Sequence, residues 1–221
     1  MKMKTVLLSL ILSGALLTGL PASPLPAGNL AVKITRSVPE FQVKHGNKMV
    51  TVMRNQNTRA LIPAAFAKTS RKCPPFCAQP MQAAPGTVTL GEVELIHFMM
   101  TELKKGTGLL IDARTPDWHA RGTIPGSINI PYIEVSPSLG ADEISIEDTL
   151  TRLGAELKED RWDFSQAKKL VLWCNGPWCG QSPTAIQGLL ELGYPAKKIF
   201  YYRGGMQVWQ SFGLTIVPPA D

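Results

Sequence analysis

The chain has 221 residues, enough for one or two domains with a sizeable core. Its net charge of +6 is uneven: residues 28–86 hold nine Lys or Arg and one acid, Glu40, whereas residues 87–221 hold twelve bases and sixteen acids. The shift near residue 86 marks a domain boundary. No basic helix with interleaved aromatics accompanies the basic half, which excludes nucleic-acid recognition and leaves an anionic or redox protein partner, or solubility, as its use.

Lys2 and Lys4, an apolar run over 6–20 and then Pro21-Ala22-Ser23 read as a secretory signal peptide, residues 1–22, with cleavage as late as 27. The run is shorter than the roughly 20 apolar residues that span a bilayer, so cleavage is expected in preference to a stable membrane anchor. Export would carry the protein to the periplasm or beyond, where disulfides persist. Four cysteines, Cys73, Cys77, Cys174 and Cys179, allow three pairings; the local ones, Cys73 with Cys77 and Cys174 with Cys179, are favoured.

Residues 41–54 alternate apolar and polar on either side of His45-Gly46-Asn47-Lys48, a hairpin signal. Residues 69–80 are too proline-rich for regular structure. Within them Cys73-Pro-Pro-Phe-Cys77 reads as a disulfide staple or as a relay dithiol. A zinc site would need a second Cys or His pair, and none is adjacent; no metal or other cofactor is expected. Residues 28–86 thus form a small β-containing region that packs on the rest.

From Thr87 strands alternate with helices. Val88 leads into Thr89-Leu-Gly-Glu92, a capping box that starts a helix reaching about 105. His97 reads as a surface residue on it. Residues 109–112 and 127–131 are buried strands. Ile146, Leu150, Leu153 and Leu157 lie at helical spacing over 144–157, and 198–202 is the last strand, followed by Gly204-Gly205 and a helix with Trp209. Alternation of this kind argues a parallel sheet covered on both faces, whose ligands sit at strand carboxyl ends.

The stretch 169–193 organises the rest. Residues 170–173 are a continuous apolar run, and Cys174 falls at its end. Ser182-Pro183 reads as an N-cap and first helical residue, with the helix running to about 192. Between them lies a loop, 174–181, with two glycines and two thiols. A strand end, a glycine-containing loop and a helix N-terminus aim backbone N–H groups at one place, which suits an anion and lowers a thiol pKa. Cys174 is the expected nucleophile.

These residues resemble the rhodanese family of sulfurtransferases. The resemblance covers roughly 87–217 and rests on four motifs in order: Leu110-Ile-Asp112-Ala-Arg114 with Trp118; Gly122-Thr-Ile-Pro-Gly126-Ser-Ile-Asn129-Ile-Pro131; the Cys174 loop; and Tyr202-Arg-Gly204-Gly205-Met-Gln-Val-Trp209. It implies a five-stranded parallel sheet wrapped by helices and a cysteine that carries sulfane sulfur as a persulfide, from a small sulfur-donor anion to a thiol or cyanide acceptor. It also implies that Asn175, Gly176, Trp178, Gly180, Gln181 and Ser182 surround the bound group.

The departures are specific. Thr123 stands where family members usually have His, and the loop has eight residues instead of six and no basic residue. A phosphatase of the same fold needs an Arg in the loop for the phosphate oxygens, so phosphoryl transfer is disfavoured. Arg114, Arg121 or Arg203 could supply the missing cation, and each could equally be a structural ion-pair partner. Asp112 is expected to anchor backbone or hold an Arg, and His119 to lie at the surface, with a role as acid or base the alternative. Cys179 is expected to modify the reaction, by resolving a persulfide on Cys174 or by cycling with it as a thiol–disulfide oxidoreductase. A non-catalytic binding module is the remaining alternative.

Overall fold

The computed structural model describes residues 30–218; the expected signal peptide lies outside them. An antiparallel hairpin comes first, β1 (Glu40–His45) with β2 (Lys48–Met53), turning at Gly46, whose positive φ suits glycine. The single turn α1 (Ala64–Ala67) and an irregular strap follow, the strap closed by a Cys73–Cys77 disulfide. Then come β3 (Val88–Leu90), α2 (Glu92–Phe98) continued by a π-helical turn over Met99–Leu103, β4 (Gly108–Asp112), α3 (Pro116–Ala120) and β5 (Ser127–Asn129). The chain goes on through α4 (Glu143–Arg152), a small hairpin of β6 (Glu156–Lys158) and β7 (Arg161–Asp163), and β8 (Lys169–Trp173). It ends with α5 (Gln181–Glu191), β9 (Ile199–Tyr202) and α6 (Gly205–Ser211).

Five strands form one parallel sheet in the order β3-β9-β8-β4-β5, the architecture that the alternating pattern implied. The central strand shows why its sequence is apolar without interruption. Leu170 and Leu172 face a core with Ile111, Leu150, Ile186 and Leu189, whereas Val171 and Trp173 face one with Leu95, Met99, Met206 and Trp209. Each fully buried aliphatic there contributes roughly 2 kcal/mol. The N-terminal region belongs to the second core, through Val43, Val52 and Phe66.

The chain is also stitched across its length. Arg54 bridges Leu214, and Met53 exchanges hydrogen bonds with Thr215. These contacts hold residues 30–86 against the C-terminal end of the sheet domain.

Four local expectations are corrected. The cap of α2 is Gly91, whose N–H is taken by the Glu94 carboxylate at 3.1 Å; Thr89 sits in β3 and its hydroxyl bonds the Met81 carbonyl instead. The helix expected over 144–157 is α4, capped by Asp142 through the Ser145 N–H at 3.0 Å, and it stops at Leu153 because Gly154 turns left-handed. Leu157 therefore belongs to the β6–β7 hairpin and is exposed. Ser182 is not the cap of α5, which is Gly180; Ser182 is inside the helix and fully buried. Finally, Cys174 and Cys179 are free thiols, not a disulfide.

Candidate active site

The register places the site. Asp112 of β4 pairs with Trp173 of β8, and the Ala113 N–H bonds the Trp173 carbonyl at 3.0 Å, so the two strands end side by side. Beyond β8 the chain loops from Cys174 to Gly180 and re-enters as α5. The start of α6 holds the base of this loop: Met206 N–H bonds the Cys174 carbonyl at 2.9 Å and Gln207 N–H the Asn175 carbonyl at 3.0 Å. Gly205, with φ +55°, makes that approach feasible, because a Cβ there would collide with the Cys174 carbonyl oxygen.

Both loop thiols are buried, but they differ in what they face. Cys174 is 2% exposed, accepts from the Ser182 hydroxyl at 3.0 Å and reaches the Cys179 carbonyl at 3.2 Å. Cys179, 5% exposed, forms part of the wall of a cleft of about 600 Å³, together with Asn175, Trp178, Gly180 and Gln181. Cys174 lies behind that wall. Burial pushes the Cys174 thiol well above its ordinary value, and the neighbouring Cys179 adds to the rise. Cys179 is held below its ordinary value, first by the hydrogen bond from Cys174, then, against burial, by the N–H groups of Gln181 and Asn175 and the charge of Arg114. Cys179 also immediately precedes the Gly180 cap of an eleven-residue helix, whose N-terminal dipole favours negative charge. Of the two sulfurs, Cys179 is the one that meets the cleft; Cys174, to which strand position alone pointed, is outside the cleft lining.

The arginines proposed from sequence divide differently. Arg114 is 1% exposed and clamps Asp112 bidentately, Nε to Oδ1 at 2.8 Å and Nη2 to Oδ2 at 2.6 Å. It also donates to the Gly122 carbonyl at 2.7 Å and the Asn175 side chain at 3.3 Å, and lies over the Trp173 ring. Asp112 gathers two further partners, the Thr123 hydroxyl and His119 Nδ1, each at 2.9 Å. Burial works to raise Asp112, but the hydrogen bonds from Arg114 and His119 outweigh it and hold the carboxyl below its usual range. Asp112, Arg114, His119 and Thr123 brace the loop from beneath, and none of these four lines the cleft. His119 is more than the surface residue expected, since it caps this carboxylate. Arg121 is exposed and stacks on Trp118, itself a cleft residue; Arg203 is spent on the Gln79 carbonyl at 2.9 and 3.1 Å. Gly176 lies within the loop, its carbonyl accepting from the Cys179 N–H at 2.9 Å.

Sequence reasoning missed the opposite wall of the cleft. It comes from α1, through Phe66, and from the strap that follows it: Lys68, Arg71, Lys72, Pro75 and Phe76. Phe76 meets Trp178 edge-on with ring centroids 5.6 Å apart, and the Arg71 guanidinium lies 3.8 Å above the Trp178 ring. The basic composition of this region was the available signal, but no local motif tied it to a loop a hundred residues on.

A family model described as a rhodanese-like domain matches residues 99–212, just over half of the chain. A helix-turn-helix type transcriptional regulator of Mycobacterium tuberculosis is 27% identical over 118 residues, which are 53% of this chain and 41% of the regulator. The chain therefore spans less than half the length of that relative. Among solved structures, the human single-domain sulfurtransferase is 26% identical, with 58% of this chain and 97% of that one covered at a TM-score of 0.38. A rhodanese-related protein from Thermoplasma volcanium is 23% identical, over 59% of this chain and 97% of that one, also at 0.38.

Proposed function

The chain belongs to the rhodanese-like domain family, and on that premise we propose that it is a sulfurtransferase that takes sulfane sulfur as a persulfide on Cys179, with Cys174 as the thiol behind it. The observation that carries this is the asymmetry of the two thiols: Cys179 lines the cleft, while Cys174 is 2% exposed and is not among the lining residues. The thiolate attacks the outer sulfur of a donor, the donor's S–X bond breaks, and X leaves with the electron pair; with thiosulfate X is sulfite. The Gln181 and Asn175 N–H groups and the α5 dipole stabilise the negative sulfur before and after the step. An acceptor thiolate then takes the outer sulfur, and Cys179 returns as thiolate.

Cys174 adds a second exit. Its sulfur, which donates to the Cys179 carbonyl at 3.2 Å, attacks the inner persulfide sulfur; the S–S bond to the outer sulfur breaks, the Cys174 proton passes to that sulfur, and a Cys174 to Cys179 disulfide and hydrosulfide result; an external thiol reduces the disulfide. The same contact supports thiol–disulfide exchange as the second reading. Export of the protein, read from residues 1–22, gives both chemistries an oxidising setting.

Persulfide lifetime decides between these exits. In Cys174→Ser, sulfur loading is expected to survive and the persulfide to last longer, because the internal route to hydrosulfide is gone. In Cys179→Ser, loading from the cleft is expected to be lost. Loading that vanishes in Cys174→Ser and persists in Cys179→Ser overturns the assignment.

A further inference from the structure

The cleft is built for something larger and more apolar than thiosulfate. At about 600 Å³ it falls in the range of drug-sized ligand sites, and Phe66, Phe76, Trp118 and Trp178 supply its apolar walls. Its charge is one-sided: three of the fifteen lining residues, Lys68, Arg71 and Lys72, are basic and none is acidic. Among the described residues none of the three takes part in an ion pair, so their charge is available to a ligand. All three come from the strap, outside the part of the chain that the family model matches. The catalytic loop itself holds no cation, and Arg114 beneath it is neutralised by Asp112.

Resting on the sulfurtransferase reading, we infer that the N-terminal strap completes the substrate site and selects an organic anion: a sulfane-sulfur compound with an apolar or aromatic body and a sulfonate or carboxylate group. The anionic group meets Lys68, Arg71 and Lys72, the body lies between Phe76 with Trp178 on one side and Trp118 on the other, and the sulfane sulfur faces Cys179. Arg71 is positioned for this by its stacking on Trp178 and its donation to the Lys68 carbonyl at 2.6 Å, which fix its plane at the cleft wall. The Cys73–Cys77 disulfide closes the turn that presents Pro75 and Phe76.

The test uses inert probes of one size. Naphthalene-2-sulfonate and neutral 2-naphthol are titrated into the full chain with tryptophan fluorescence as readout, in the wild type and in Lys68→Ala/Arg71→Ala/Lys72→Ala. The wild type is expected to bind the sulfonate about tenfold more tightly than the alcohol, the sum of several partly exposed charge contacts, and the triple variant to bind the two alike. Arg71→Ala alone checks that the loss is not a folding defect, with a smaller loss of the same preference. A wild type without that preference, or a preference that survives removal of all three cations, overturns the inference. Sulfur loading from an aryl thiosulfonate, a donor of the inferred class, is followed in the same preparations. Sulfonate binding without loading contradicts the sulfurtransferase reading while this site stands; loading without sulfonate binding contradicts this inference alone.

Discussion

Two sets of cations lie within reach of the same loop, and they are used in opposite ways. Arg114, beneath the loop, is dry, held by the two oxygens of Asp112 and two further acceptors, and its charge is consumed by the fold. Lys68, Arg71 and Lys72, across the cleft, are exposed or half-buried and unpaired among the described residues. The difference teaches that an arginine inside a sequence motif is not thereby a ligand-binding group. Nearness in sequence to Asp112 gave Arg114 its partner, whereas the cleft-lining charge comes from a segment remote in sequence.

The largest effect expected from breaking this contrast is on stability. Asp112→Asn leaves a buried guanidinium without its counter-charge and should cost about 3–5 kcal/mol, measured by denaturant unfolding. Because Asp112 is held below its usual range, the stability it contributes is present above the unfolded carboxylate pKa and is lost as pH falls through the lower folded one. The strap cations should behave in reverse. Replacing all three with Ala should change stability by no more than about 0.5 kcal/mol while raising KM for an anionic organic donor about tenfold, with kcat changed far less. That KM should also rise with salt, since half-exposed charges are screened.

A smaller effect sharpens the comparison from the disulfide side. Cys73→Ser with Cys77→Ser removes a short covalent loop and should lower stability by about 2 kcal/mol or less, with KM rising as Phe76 loses its fixed place against Trp178. A fall in kcat at unchanged KM would make the pair a relay instead. The smallest shift concerns titration. Alkylation of Cys179 should increase with pH about a midpoint below that of an ordinary thiol.

Much of this was legible in the sequence, and the rest was hidden for physical reasons. The unbroken apolar run at 170–173 announces a strand buried on both faces, and the His45-Gly46 turn announces the N-terminal hairpin. The hairpin after α4 was not legible, because its turn uses Glu159 and Asp160 at positive φ in place of the glycine that usually marks one. Ser182 looked like a cap because Ser before Pro commonly is one; its hydroxyl is instead turned inward to Cys174. The order of the two thiols depends on which one the lengthened loop turns to the cleft, and local spacing carries no record of that.

Where the sulfur first rests is the most direct test of the roles of the two thiols. The full chain, treated briefly with thiosulfate and with a polysulfide, is digested without reductant, and the added sulfur atom is mapped by mass. The expected result is one added sulfur on Cys179, retained in Cys174→Ser. Sulfur on Cys174 in the wild type, and still there in Cys179→Ser, would contradict it.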